Sequence, residues 1–433
     1  MAKINHFIAS YSDAISDLDI SFEGTETNPP KAVIKRFVRV FKDISDSRVQ
    51  AMIEYPLVEI ILIAFLAVLA GASTWLQIED FGKTKKKWLN KFIPLKNGIP
   101  SHDTFRRVFS LMDTKEIQQA TVDFLIQNIQ AIKKVLPSPE DSYRHLCVDG
   151  KEQRRTGRKY ETDEKIRNLQ TLHIFDSTNE ICIYSEAISE KTNEIPVAQE
   201  ALGRMNLKGC IVTFDALHTQ KKTFEMIRKQ KGDYVGGLKG NQAGLLEEAT
   251  PYFDEEDLLA HYKGKGDYFE SIEKAHGQIE TRKYYLVRPT KSKTIKEWTG
   301  LKAFVCCIKT IEKINTGKVT TEIRYYAASV DDVELCAEAI RGHWGVENKL
   351  HWQLDYSMYE DDNTTMDKKA FNNLSLMNKM ALTLYKLLKP MMKISSIRGL
   401  RKVFGWNYAE SLSLLLSCFD ETLIAEAMLS AKA

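Results

Sequence analysis

Three carboxylates in this chain are placed where metal-assisted phosphoryl transfer would need them. Asp149 closes the run His145-Leu146-Cys147-Val148-Asp149, and Asp215 closes Cys210-Ile211-Val212-Thr213-Phe214-Asp215. Both runs are short, apolar and β-branched, the pattern of a buried strand ending on a polar residue. Glu347 lies downstream in Ile340-Arg341-Gly342-His343-Trp344-Gly345-Val346-Glu347-Asn348-Lys349-Leu350-His351-Trp352, which reads as a helix. Carboxylates brought together from two strand ends and a helix can hold two Mg²⁺ ions, hard cations that keep waters and substrate oxygens in their remaining positions. Mn²⁺ can take the same ligands. Two such ions roughly 4 Å apart would activate a water or a 3′-hydroxyl and stabilise the leaving oxygen. Asp149 is expected to bridge both, with Asp215 and Glu347 each completing one side. This chemistry points to nucleic acid.

The Glu347 helix can be tested by spacing. His343, Glu347, His351 and Asp355 stand four apart, so neighbours in this row are offset by about 40° and its ends by about 120°. They cannot all face one metal pair. Asp355 and the run Glu360-Asp361-Asp362 are the rival third carboxylates. A zinc site at His343 and His351 lacks the H-E-x-x-H pattern and a third strong ligand. Gly342 and Gly345 weaken a helix and allow close approach of a backbone or a phosphate.

Candidate phosphate contacts surround these acids. Lys151, Arg154, Arg155 and Arg158 follow the Asp149 strand as a basic loop. Lys239 and Asn241, with Gln242, follow another strand end, where they could contact DNA or cap the next helix. Lys349, His343 and His351 flank Glu347. His276, Glu280 and Arg282 alternate along one extended segment, as a surface ion pair or a DNA contact. Arg106 and Arg107 sit on a helix that Ser101 would cap. Together with the preceding helix and Gly/Pro connection, they suit either a helix-turn-helix-like reader or a plain helical bundle.

The elements that must position these residues change character along the chain. Residues 1–30 form a polar arm ending in Asn28-Pro29-Pro30. Residues 31–140 have helical periodicity and are expected to form a DNA-binding or dimerisation domain. Its uncharged stretch from Ile60 to Trp75 is too short to span a bilayer and reads as one buried helix. After Pro137-Ser138-Pro139, residues 141–263 read as three strands, helix (Ile195–Met205), strand, helix (Gln220–Lys231) and strand. That is the order of a ribonuclease-H-like mixed α/β core. Residues 264–330 are a β-rich insertion with strands at Tyr268–Lys274, Glu280–Val287, Ala303–Ile311 and Thr320–Ser329. The core resumes over 331–390 with the Glu347 helix, and helices fill 391–433.

The chain has 433 residues and a net charge of only +3, so its total charge does not advertise DNA binding. Its distribution says more: Lys368 to Lys402 carries nine Lys/Arg and no acid, and Lys83 to Lys91 carries five lysines and no acid. The seven cysteines are scattered without a C-x-x-C pair, which indicates neither a zinc site nor a disulfide framework. Met1 to Asp19 lacks the regions of a signal peptide. A cytoplasmic protein with no membrane association is expected.

Several separated motifs carry a family resemblance. Gly98-Ile99-Pro100-Ser101-His102-Asp103-Thr104-Phe105, Phe214-Asp215-Ala216-Leu217-His218-Thr219-Gln220, Asp233-Tyr234-Val235 with Leu238-Lys239-Gly240-Asn241-Gln242, and His276-Gly277-Gln278-Ile279-Glu280 occur in order. They are followed by His343-Trp344-Gly345-Val346-Glu347-Asn348 and Leu350-His351-Trp352. From about Phe41 to Ala409 the sequence resembles the H-repeat-associated DDE transposases of bacterial insertion sequences. The resemblance implies a DDE triad at Asp149, Asp215 and Glu347, a β-rich insertion before the glutamate, and DNA as substrate. It further implies binding of terminal inverted repeats, strand cleavage and transfer into target DNA, and a homodimer in the synaptic complex. The wider insertion-sequence signature places Tyr and Arg seven and four residues before the glutamate and Lys seven after. This chain has Ile340, His343 and Leu354 there. Other readings are a domesticated or inactive relative that only binds DNA, and a stand-alone nuclease.

Overall fold

The computed structural model describes residues 31–135, 143–159, 165–188, 193–275, 277–389, 394 and 396–407. The polar arm, the Pro137-Ser138-Pro139 boundary, His276 and most of the expected C-terminal helical segment lie outside the described residues.

Five helices come first: α1 (Lys31–Phe41), α2 (Leu57–Leu69), α3 (Trp75–Leu89), α4 (His102–Leu111) and α5 (Thr114–Val135). The expected single helix over Ile60–Trp75 is two helices. α2 stops at Leu69, Gly71 takes a φ of +100°, and Thr74 caps α3 by accepting the Gln77 N–H. A positive φ costs glycine little, so the chain can turn there without a charged residue to mark it. α2 is buried from Glu59 to Leu69, which explains its unbroken apolar run. Among the described residues no helix is long and apolar enough to cross a membrane. Ser101 caps α4 as expected, its hydroxyl accepting the Thr104 N–H. Residues 90–101 between α3 and α4 bury Ile93 and Leu95. That packed connection is far longer than the three- or four-residue turn of a helix-turn-helix.

The sheet region begins with β1 (Arg144–Gln153), a short pair β2 (Arg158–Lys159) and β3 (Lys165–Ile166), and then β4 (Leu169–Asp176) and β5 (Ile181–Ile188). There follow α6 (Glu194–Arg204), β6 (Cys210–Phe214), α7 (Lys221–Lys229), β7 (Asp233–Leu238), α8 (Ala243–Ala249) and α9 (Glu256–Gly264). The remaining strands are β8 (Tyr268–Ala275), β9 (Gln278–Val287), β10 (Ala303–Lys313) and β11 (Val319–Ala328), with the short α10 (Lys293–Lys296) between β9 and β10. The chain closes with α11 (Val333–His343), a π turn (Val346–His351), α12 (Trp352–Tyr356), α13 (Lys368–Leu388) and α14 (Ile397–Trp406).

One nine-stranded sheet runs through the molecule in the order β5-β4-β1-β6-β7-β11-β10-β9-β8. β1, β6 and β7 are mutually parallel; on one side β4 pairs antiparallel with β1, and β5 antiparallel with β4, so β5 again runs with β1. The strands from 264–330 extend the same sheet: β11 pairs antiparallel with β7, from Tyr325 opposite Leu238 to Ala328 opposite Val235. The fold is therefore a mixed α/β fold with one large sheet.

Helices cover both faces. α1–α5, the π turn, α13 and α14 share a core with Cys147, Phe175 and Ile181 of the sheet. α6 and α7 pack on the other face against Leu146, Val148, Leu172 and Val212. Residues 145, 147, 149 and 151 thus point one way and 146, 148 and 150 the other, as strand alternation requires. α4 packs Phe105 and Phe109 into the first core, where Asn373 of α13 donates to the Phe109 and Met112 carbonyls. The basic stretch Lys368–Lys402 is only partly surface, since Lys379 and Arg401 are buried. Arg401 is spent on the carbonyls of Gly71, Ala72 and Ser357, so that stretch is neither a continuous phosphate-binding face nor a solvated one.

Candidate active site

The parallel pairing of β1 with β6 ends at Val148 opposite Phe214, so Asp149 and Asp215 are the next residues on neighbouring strands. Asp149 itself is not at a strand end. β1 continues to Gln153 beside β4, which corrects the expectation that a polar residue there terminates the strand. What ends is β6, and the gap it leaves opens beside Asp149. Asp215 accepts the N–H groups of Leu217 (3.0 Å) and His218 (3.4 Å), a local turn that fixes its carboxylate. Glu347 comes from the first turn of the π segment and is exposed.

These three carboxylates line one cavity of about 690 Å³, together with Lys239, His343, Trp344 and Arg324. Asp149 reports their mutual field. Burial pushes its carboxyl up to about 7, with further upward pushes from the negative charges of Glu347 and Asp215. The acids do not converge on one point: among the described residues no group of three or more His, Cys, Asp or Glu is set to hold an ion. Asp355 and Glu360-Asp361-Asp362 lie elsewhere. Asp355 faces Lys151, and Glu360 is buried against Ser375 and Asn378 of α13.

The helix that carries Glu347 differs from the expected regular one. α11 ends at His343, and Val346–His351 forms a π turn in which the Trp352 N–H reaches the Glu347 carbonyl, an i→i+5 bond. Each such turn takes up an extra residue, so positions four apart stay more nearly in line than the 40° steps of an α-helix allow. The row is used accordingly. His343 Nδ1 lies 3.1 Å from Thr213 Oγ1, which also lies 2.8 Å from His145 Nε2. His351 Nε2 lies 2.9 Å from His173 Nδ1, and its Nδ1 is 3.6 Å from Asp149. His173 is the residue opposite Asp149 on β4. Burial lowers His343 to about 4 and His351 to about 3, so both are neutral near pH 7. In that state each can still donate or accept a hydrogen bond but carries no charge. Gly342 is needed for this seat, because a Cβ there would stand 2.6 Å from the His145 ring.

The basic candidates divide. Lys239 and Asn241 are exposed, Lys239 lines the cavity, and the Asn241 side chain donates to the Ala216 carbonyl (2.7 Å). Lys151 is buried, 2.5 Å from Asp355. Arg154 lies 3.6 Å from Asp361 and Arg155, at a φ of +64°, lies 3.0 Å from Asp362, both on the surface. Arg158 begins β2, away from the main sheet. Lys349 turns from the cavity to Glu180 (2.6 Å). Arg106 and Arg107 are exposed on α4, with Asp103 3.5 Å from Arg106. Glu280 and Arg282 pair with each other on β9.

Several site residues carried no motif in the expectations above: His145, His173, Thr213 and Arg324. The first could have been read from alternation, since His145, Cys147, Asp149 and Lys151 put an unusually polar face on a buried strand. Arg324 lies 5.1 Å over the Trp344 ring, a contact between the inserted strands and the glutamate helix that only the sheet order creates.

Residues 140–384 match the family model described as transposase DDE domain, and residues 38–125 match its partner, described as DDE_Tnp_1-associated. The chain belongs to the DDE transposase family. Among its relatives, the H repeat-associated putative transposase YhhI of Escherichia coli (strain K12) is 33% identical over 336 residues, covering 76% of this chain and 84% of that protein. The putative transposase YncI of Escherichia coli O157:H7 is 30% identical over 384 residues, covering 87% and 93%. As a DDE transposase the protein is an enzyme acting on DNA, in a family that generally uses divalent metal ions.

Proposed function

We propose that this transposase binds the terminal inverted repeats of an insertion sequence, hydrolyses a phosphodiester to free a 3′-hydroxyl, and directs that hydroxyl at target DNA. The observation that carries the reading is the single cavity lined by Asp149, Asp215 and Glu347 where the parallel pairing of β1 and β6 ends. The strand order β5-β4-β1-β6-β7, with β4 alone antiparallel to the other four, supports a ribonuclease-H-like core at its centre, extended by the inserted strands.

The residues fit Mg²⁺. Three hard oxygen donors share one cavity, and Asp149, whose proton affinity is raised by burial first and then by the charges of Glu347 and Asp215, sits in a negative field that a divalent cation would relieve. Mg²⁺ is commonly held by one or two carboxylates, with waters and phosphate oxygens in its other positions, so an incomplete protein cage suits it. Asp149 and Asp215 would hold one ion and Asp149 and Glu347 a second. Bound there, the ions would supply Lewis-acid activation of the attacking hydroxyl and charge stabilisation at the leaving oxygen. His351 and His343, kept neutral by burial, orient the walls around Asp149 and Asp215. Lys239 on the cavity wall and Asn241 two residues on would meet the phosphate backbone, and Arg154, Arg155 and Arg158 would extend that contact.

Handling two ends together calls for a homodimer in the synaptic complex, with the N-terminal helices as its dimerisation or DNA-binding part. The cytoplasm, where thiols stay reduced, suits the described cysteines, all of which are free. The test incubates purified protein with terminal-repeat DNA and Mg²⁺ or Mn²⁺, beside Glu347→Ala. Cleavage by the wild type that Glu347→Ala loses is expected. Equal cleavage by both proteins would remove Glu347 from the site.

A further inference from the structure

Behind the two aspartates, on the opposite face of the sheet, lies a fourth carboxylate. Glu194 is in the first turn of α6, directly after the Asn193 cap. Its carboxylate rests on the backbone of Gly150, so that a Cβ at position 150 would overlap all three atoms of the carboxyl group. Gly150 is the residue after Asp149, and its N–H donates to Asp149 Oδ1 (3.0 Å). The Glu194 charge also reaches Asp149 and adds to the upward push on its carboxyl.

Glu194 has one neighbour of its own kind of chemistry. His218 Nε2 lies 3.4 Å from Glu194 Oε2. The His218 side chain is 2% exposed, and neither ring nitrogen has a hydrogen-bond partner at ordinary distance. Its backbone N–H, in turn, closes the Asp215 turn. A path therefore runs from Asp149 through Gly150 and Glu194 to His218 and Asp215, and it does not pass through the cavity. Buried polar nitrogens without partners are costly, which makes the Glu194 carboxylate the group that His218 is placed to meet.

We infer that Glu194 and His218 form a positioning pair that sets the separation of Asp149 and Asp215 from behind the sheet. The inference rests on the reading of those aspartates as ion ligands. Groups that orient ligands typically change metal affinity by about tenfold or more when removed. Glu194→Gln keeps the size and loses the charge; His218→Gln keeps a donor and loses the ring; Gly150→Ala pushes the carboxylate away.

The test reads three quantities in the full chain: the Mg²⁺ concentration for half-maximal cleavage, the rise in melting temperature on adding Mn²⁺, and the melting temperature without metal. Glu194→Gln and His218→Gln are expected to need about tenfold more Mg²⁺ and to show a smaller Mn²⁺-induced rise, with a near-normal maximal rate at saturating metal. Gly150→Ala is expected to lower the metal-free melting temperature, and Gly150→Ala with Glu194→Ala to recover it, because the clash is removed. Unchanged metal requirement in Glu194→Gln, or no recovery in the double variant, overturns the pair. Failure of the wild type to cleave or to respond to Mn²⁺ would instead overturn the ion-ligand reading, and the Gly150–Glu194 recovery would still report on the contact itself.

Discussion

The acids of the cavity and the bases around it are built on the same strands and the same helix, yet their charges are used in opposite ways. Among the described residues no cationic side chain pairs with Glu347 or Asp215, and the only base near Asp149 is the neutral His351. The bases chosen from the sequence are mostly spent: Lys151 on Asp355, Arg155 on Asp362, Lys349 on Glu180. Lys239, exposed at the cavity wall, is not spent in this way. Uncompensated like charges in a concave site are costly and persist where a ligand will neutralise them. Paired charges need no ligand. The comparison therefore separates residues whose charge is unpaired from those whose charge holds the walls together.

Breaking the acid side should have the largest effect. Asp149→Asn, Asp215→Asn or Glu347→Ala is expected to lower strand cleavage on the order of 10³-fold or more, since metal activation supplies several kcal/mol. Far-ultraviolet circular dichroism and melting should stay near wild type for Glu347→Ala, because that side chain is exposed. A comparable loss of fold would show that the carboxylate is structural.

The buried base comes next. Lys151→Ala leaves Asp355 facing an empty, partly buried position and should cost about 3 kcal/mol in chemical unfolding, the usual scale for breaking one half of a buried pair. A Lys151 variant of normal stability but weakened DNA binding would reverse the assignment and make it a phosphate grip. Arg154→Ala and Arg155→Ala should change stability by less than about 1 kcal/mol, as exposed pairs do. Their effect on DNA affinity, read with its salt dependence, decides whether the loop releases Asp361 and Asp362 for a phosphate backbone.

A smaller, pH-resolved effect concerns a paired acid far from the cavity. Glu79 on α3 is held down to about 2, first by Lys83 and then by the His102 N–H at 2.6 Å at the start of α4. Its contribution is complete above the ordinary value of 4.5 and is lost as the pH falls through about 2. Unfolding midpoints between pH 6 and 2.5 should therefore drop less steeply with acid in Glu79→Gln than in the wild type. Parallel curves would show that the pairing is not formed in solution.

Much of the sheet was legible from local pattern. The expected helix Ile195–Met205 is α6 at Glu194–Arg204, and the expected helix Gln220–Lys231 is α7 at Lys221–Lys229. Strands at Ala303–Ile311 and Thr320–Ser329 appear as β10 and β11. These follow from alternation, caps and turn residues, all of which act within a few positions. What stayed hidden was non-local. Lys151 and Asp355 are 204 residues apart, and nothing near either one announces the other. The break at Gly71 was masked because both flanking helices are apolar there. The strand-end reading of Asp149 missed that β1 has two neighbours of different length. The glutamate helix was legible as a helix but not in its winding, because hydrogen-bond register leaves no mark in a thirteen-residue run of mixed polarity.

That winding has a geometric consequence. An α-helix advances about 100° per residue, so rewinding Val346–His351 with i→i+4 bonds at unchanged length would swing His343 and its partners about 100° relative to His351 and Asp355. The surplus residue thus works as a vernier. It brings a side chain that touches β6 and others that touch β1 and β4 onto the sheet at once, from a single helix, with Glu347 between them.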